Sequence, residues 1–483
     1  MIALESRRAF RWAAVFLLGL GCARPPVEVA KPDRFDQPMA IVGATLWDGT
    51  GRPPVPNAVV LVRGQRILCA SSVGQCLIPP DARVIDARGR YLIPGLIDTH
   101  VHLLYLVRGS SARWLADDLR DLLARGVTTV RDMGNDPAEL LRRTAPLQAA
   151  PRVYAMQLVA GFRFFYARGP AVQHPDGSTS YRQPPAQVML ARGWRPLLYR
   201  ADLDADSLVA QARAAGASGI KLYASLDTLE VRQLVEAAHR AGMPVWAHAW
   251  LQPASAREQV DAGVDGVVHA SLLTGELLSR RVRDSLLSDV ALLRSVAGTA
   301  TIEAGHDAHV LAVLDTMARR GVFLEPTLDV VVRSLAHEEA AGHHGPTLQG
   351  QYARAANGFG LEVTREAVRR GVRLVAGTDH VAYGPARDRA SLLEELALLV
   401  DSVGLTPTQA LFAATRDAAA ALGGTLAQQH GTIEPGRYAD LVLLAADPLQ
   451  DIRNLESIEW VMRGGQLWRP AMLRTGIATV ARR

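Results

Sequence analysis

From Leu96 to Gly377, short apolar runs rich in β-branched residues alternate with longer stretches of helical character. The runs are Leu96-Ile97, Val127–Val130, Val153–Met156, Gly219–Tyr223, Val245–His248, Gly266–His269, Gly321–Leu324 and Leu374–Gly377. Strands this short, apolar on both faces and separated by helices, are those of a parallel sheet covered on both sides. Eight of them in series predict a closed (β/α)8 barrel, an α/β fold of the TIM-barrel class.

The flanks have a different rhythm. Ala40–Trp47, Ala58–Arg63 and Arg66–Cys69 are short β-type runs divided by turns such as Asp48-Gly-Thr-Gly. After a helical stretch near Pro407–Leu422, β-type runs return at Ala439–Leu444, Trp460–Met462 and Gln466–Trp468. A β-unit divided between the two chain ends is best read as one small β-sandwich domain that both ends complete. The division expected is a signal peptide over 1–21, a tether over 22–38, sandwich over 39–90, barrel over 91–428, sandwich again over 429–470 and a tail over 471–483. Apolar residues make up 49% and charged residues 21%, which excludes a disordered or collagen-like chain. The net charge of +5 comes from 53 basic and 48 acidic residues with no basic block, so no nucleic-acid partner is expected.

The first residues read as a targeting segment. Arg7, Arg8 and Arg11 precede an apolar run from Trp12 to Leu20, too short to cross ~30 Å of hydrocarbon as a helix. Ser6–Phe10 resembles a twin-arginine export signal, and Leu20-Gly21-Cys22 resembles a lipobox, which implies lipidation of Cys22. The expectation is an exported protein of the bacterial cell envelope, on the periplasmic side or membrane-tethered by that lipid anchor alone. Cys69 and Cys76 bracket a turn-like stretch and read equally as a disulfide across a hairpin or as two buried thiols.

Polar residues collect at the ends of the barrel strands. His100 and His102 follow the first strand. In extended backbone, residues i and i+2 share a face about 7 Å apart, so two imidazoles can grip one ion. Lys221 lies in the fourth strand, His248 ends the fifth, His269 the sixth, and Asp379 follows the eighth. These places are all at the C-terminal mouth, where barrel active sites are built. Core filling does not explain them, since each buried polar group costs ~1–3 kcal/mol unless satisfied. His174, in a long loop after the third strand, and His380, next to Asp379, are candidates to face a substrate.

Tyr91-Leu-Ile-Pro-Gly-Leu-Ile-Asp-Thr-His-Val-His102 resembles the first-strand motif of the metal-dependent amidohydrolase superfamily. Gly377-Thr-Asp379 resembles its last metal strand, and Gly431–Val442 its return to the sandwich. The likeness is nearest to the imidazolonepropionase-like and prolidase-like branch. It implies two divalent ions, with zinc the metal expected. His100, His102 and Asp379 would hold the first, His248 and His269 the second, and Lys221 would bridge them as its carbamate. It implies hydrolysis of amide, cyclic amide or dipeptide-like bonds in a small-molecule substrate by a metal-activated hydroxide, with Asp379 as general base.

Two other readings stand beside this one: a mononuclear deaminase or imidazolonepropionase-like enzyme that needs no lysine, and a non-catalytic envelope binding protein on the same fold. Dipeptidase-like relatives usually carry Tyr two residues after the fifth-strand His, where this chain has Trp250. Arg163 and Arg168, in the loop after the third strand, are candidates to clamp a substrate carboxylate.

Overall fold

The computed structural model describes residues 37–104, 112–166, 171–173, 179–181, 186–187, 190, 194–282, 302–340, 348–381 and 391–474. Its larger sheet is parallel throughout. The barrel strands, in order, are Leu96–His102, Val127–Asp132, Arg152–Gly161, Gly219–Ala224, Val245–His248, Gly266–Val268, Phe323–Glu325 and His380–Val381. A short extra strand, Leu197–Tyr199, lies on the third. Each of the eight expected runs lies on or beside one of these strands, with two local differences. The seventh strand starts at Phe323 because Gly321 is the left-handed cap that ends helix Ala308–Arg320. The eighth is split. Leu374 bridges the seventh strand at Leu324, and only His380–Val381 pairs with Val101 and His102 of the first. Left-handed backbone at Asp379, φ +54°, interrupts the ladder between them.

The intervening helices are started by local side-chain chemistry. Asp227 and Glu230 form a capping box ahead of Thr228–Arg240, and Ser255 and Glu258 do the same for Ala256–Ala262. Val231, Leu234, Val235 and Ala238 lie on one face of the former and are buried. The barrel interior is filled by Met133, Met156, Trp246, Val268, Phe323 and Val375. Gly266 makes the space for the Trp246 indole, because a Cβ there would come within 2.4 Å of the ring.

Both chain ends meet in the second sheet. Tyr91–Pro94 pairs parallel with Met39–Leu46 and antiparallel with Leu441–Leu444. The small sheet therefore runs on to Pro94, past the boundary read from the sequence at Tyr91, because backbone pairing continues until Gly95. Its eight strands are continuous, and Ile67 near one end of the strand order shares a core with Trp460 and Met462 near the other. The sheet thus folds over its own core, which gives the sandwich. Cys69 and Cys76 are joined as a disulfide beside this sheet. Cys22, Arg168 and His174 lie outside the described residues.

Strained backbone is concentrated at one end of the barrel. Six non-glycine residues have left-handed φ among the described residues; Ser225, Gln252, His269 and Thr327 follow barrel strands, and Asp379 interrupts the eighth. Each such residue costs of order 1–3 kcal/mol and persists where its surroundings over-determine it. Gly161, at the end of the third strand, abuts this rim, and a Cβ there would lie 1.7 Å from the Ser225 carbonyl oxygen. Gly161→Ala is expected to lower stability by at least ~1–3 kcal/mol, since the obstacle is backbone and cannot rotate away. Thermal unfolding of purified protein measures this, and an unchanged midpoint would contradict it.

Candidate metal centre

His100, His102 and Asp379 form one group of ligand atoms, all within 4.8 Å of one another. Asp379 Oδ1 lies 3.0 Å from His102 Nε2 and 3.4 Å from His100 Nε2. The two imidazole Nε2 atoms are 3.3 Å apart. The first strand supplies both histidines. Asp98, two residues earlier, ties it to the eighth segment by accepting from the backbone N–H of Thr378 and from its hydroxyl.

His248 and His269 complete the ring of imidazoles. The rings of His269 and His100 are 5.1 Å apart, and those of His248 and His269 4.9 Å. Two aromatic side chains close the circuit: Tyr223 stands 5.1 Å from His248, Trp194 5.1 Å from Tyr223, and Trp194 stacks on His102 at 4.7 Å. His102 fits against the chain because residue 134 is glycine, and a Cβ there would lie 2.9 Å from Nδ1. His269 is held by Thr327 Oγ1 at 2.8 Å, and the Trp250 carbonyl lies 3.2 Å from His248 Nδ1.

Lys221 points its side chain into the same space. It is 2% exposed, and its Nζ has no hydrogen-bond partner among the described residues. Burial pushes its pKa down to about 7, against the opposing pull of Glu325 and Asp379. Burial also pushes His248 down to about 3 and lowers His269 and His100, which favours the neutral imidazoles that bind metals. Burial raises the Asp379 carboxyl, but the histidines around it outweigh that and leave it ionised. Neutral imidazoles, an ionised carboxylate and a buried amine without a partner make a donor set that fits divalent cations.

Residues 91–468 match the amidohydrolase family. The chain belongs to that family. It is an enzyme, a hydrolase acting on carbon–nitrogen bonds. Among curated proteins, an imidazolonepropionase of Symbiobacterium thermophilum is 26% identical over 408 residues, covering 81% of this chain and 84% of that protein. An N-acyl-D-aspartate deacylase of Alcaligenes xylosoxydans xylosoxydans is 38% identical over 109 residues, covering 22% of this chain and 20% of that protein. Among solved structures, a Xaa-Pro dipeptidase with bound methionine superposes with a TM-score of 0.66 at 21% identity, covering 90% of this chain and 100% of the other. A molinate hydrolase superposes at 0.68 and 21% identity, covering 93% and 98%. At these identities the two structures speak for the fold.

The structure gathers His100, His102, Lys221, His248, His269 and Asp379 at one end of the barrel. His380 and Trp250 are both packed within the fold. His380 is buried, with Nε2 3.0 Å from Asp118 Oδ2, because its neighbour's left-handed turn directs it toward the helix Ala112–Ala124. Trp250 is buried with its ring against Gly275. Arg163 is exposed on a short helix, Phe162–Tyr166, just after the third strand. Four residues at or beneath the centre escaped the sequence reading: Trp194, Tyr223, Glu325 and Arg131. Tyr223 carried a signal, since it lies two residues after Lys221 and shares its face of the strand.

Proposed function

We propose that this enzyme is a binuclear metal-dependent hydrolase of amide, cyclic amide or dipeptide-like bonds. The observation that carries the reading is Lys221: a buried amine with no hydrogen-bond partner among the described residues, near four histidines and a carboxylate. Held as an ammonium between two cations it would be untenable. As a carbamate it would offer an anion with two oxygens. His100, His102 and Asp379 would hold one ion, His248 and His269 the other, and carbamylated Lys221 both. Zinc suits such nitrogen and oxygen donors. Ions bound there would supply Lewis acidity, lowering the pKa of water toward neutrality and polarising a carbonyl.

The protein's own part is to move protons and to exclude water. Asp379 takes a proton from the attacking water and passes it to the departing nitrogen, so that amide and water leave as acid and amine. Trp194 and Tyr223 give the centre an aromatic wall on the side of the third and fourth strands. Metal analysis of the purified full chain tests the reading: two equivalents are expected, and an active enzyme with a single ion would overturn it. One observation favours the mononuclear alternative, namely the long match to an imidazolonepropionase. Hydrolysis of a cyclic amide substrate to its ring-opened acid by a one-metal form would establish that alternative.

We also propose export and lipid anchoring at Cys22, supported by the arginines and apolar run before it. Mass spectrometry of membrane-extracted protein should find a mature, acylated N-terminus at Cys22. An N-terminus elsewhere in a soluble fraction would refute it.

A further inference from the structure

We propose that Glu325 is a positioning residue that holds His100 with its Nδ1–H turned away from the centre and its Nε2 turned into it. The inference rests on the metal reading of the site. Glu325 ends the seventh strand, and its Oε1 lies 2.5 Å from His100 Nδ1. Its other oxygen accepts from Thr99 Oγ1 at 2.5 Å and from Arg131 Nη2 at 3.3 Å. Arg131 is itself fixed. It donates to the Thr99 carbonyl at 2.9 Å and to the Ala421 carbonyl at 2.8 Å, and its guanidinium lies 4.0 Å over the Trp246 ring. His100, Glu325 and Arg131 are each at most 1% exposed.

A neutral imidazole carries one N–H. A carboxylate locked against Nδ1 keeps the hydrogen there and leaves the lone pair on Nε2, the atom that faces His102 and Asp379. The backbone is shaped to allow the contact. A Cβ on Gly377 would come within 2.7 Å of both Glu325 Cδ and His100 Cβ. The other three histidines lack such an anion on Nδ1. Among the described residues, His269 has a hydroxyl, His248 a carbonyl, and His102 Nδ1 no hydrogen-bond partner. Glu325 therefore makes His100 the strongest donor of the four, and the ion held by His100 the more tightly bound.

The test uses the full chain, stripped of metal and titrated with zinc against a competing chelator, alongside Co(II) absorption spectra. Glu325→Gln removes the anion. Glu325→Asp keeps a charge for Arg131 but is one methylene too short to reach His100. Folded apo variants should bind their tighter zinc about 10–100-fold more weakly, with an altered Co(II) spectrum, while the weaker site changes little. Folded variants with wild-type zinc affinity and spectrum would overturn the proposal. So would loss of zinc from both sites alike, since Glu325 would then serve the fold. A wild-type chain that takes up no zinc would instead refute the metal reading itself.

Discussion

Asp379→Asn should fold, retain most of its metal and lose activity on the order of 10²–10⁴-fold, the usual scale of acid–base catalysis. The amide keeps the size and one oxygen of the carboxylate but cannot accept and return a proton. Asp379 is placed for the proton role because its Oδ1 stands among the imidazoles of the centre, 3.0 Å from His102 Nε2 and 3.4 Å from His100 Nε2. Its left-handed backbone, φ +54°, is one that Asn adopts more readily than most residues, so the substitution adds no strain. Metal content must be measured beside turnover, because lost metal would mimic a lost base. Near-normal turnover at full occupancy would remove Asp379 from the proton pathway.

Lys221→Ala should lose at least one metal equivalent and nearly all activity. Carbon dioxide reacts only with the neutral amine, and ordinary lysine, with a pKa of ~10.4, offers little of it at neutral pH. At Lys221 burial brings the pKa to about 7, so a large neutral fraction is available. Loading of the apo protein with zinc should consequently depend on bicarbonate and slow when carbon dioxide is removed. A short carboxylic acid such as acetate should partly restore Lys221→Ala by filling the bridge. It should not restore Lys221→Arg, whose guanidinium stays charged and fills the space. Normal activity of Lys221→Ala with one bound ion would end the binuclear reading and leave the mononuclear one in its place.

The residues of the centre differ in how far the sequence exposed them. His100 and His102 were visible as a pair because a strand repeats its facing every second residue. His248, His269 and Asp379 were visible because each follows an apolar run at the place where barrel strands open to solvent. Glu325 also follows such a run, yet Phe323-Leu-Glu-Pro reads equally well as a strand ending in a solvated acid. Its partner Arg131 lies 194 residues away in sequence, and nothing local to either residue announces a buried pair. His380 shows the converse error. Its place beside Asp379 suggested a substrate contact, but Asp118, on a helix packed outside the barrel, takes its Nε2.

What the sequence determined by itself was periodicity: the eight-fold alternation, the β-type flanks and the strand-end positions of six polar residues. Those follow from the local geometry of strands and helices, which repeat over a few residues and write themselves directly into the pattern of apolar side chains. What only the tertiary structure decided was pairing and facing. The sandwich depends on strands from the two chain ends pairing in one sheet, and the Glu325–Arg131 contact beneath His100 and the stacking of Trp194 on His102 depend on barrel closure. Closure brings residues from distant strands to one level, and a contact made at that distance leaves no trace in the neighbourhood of either partner.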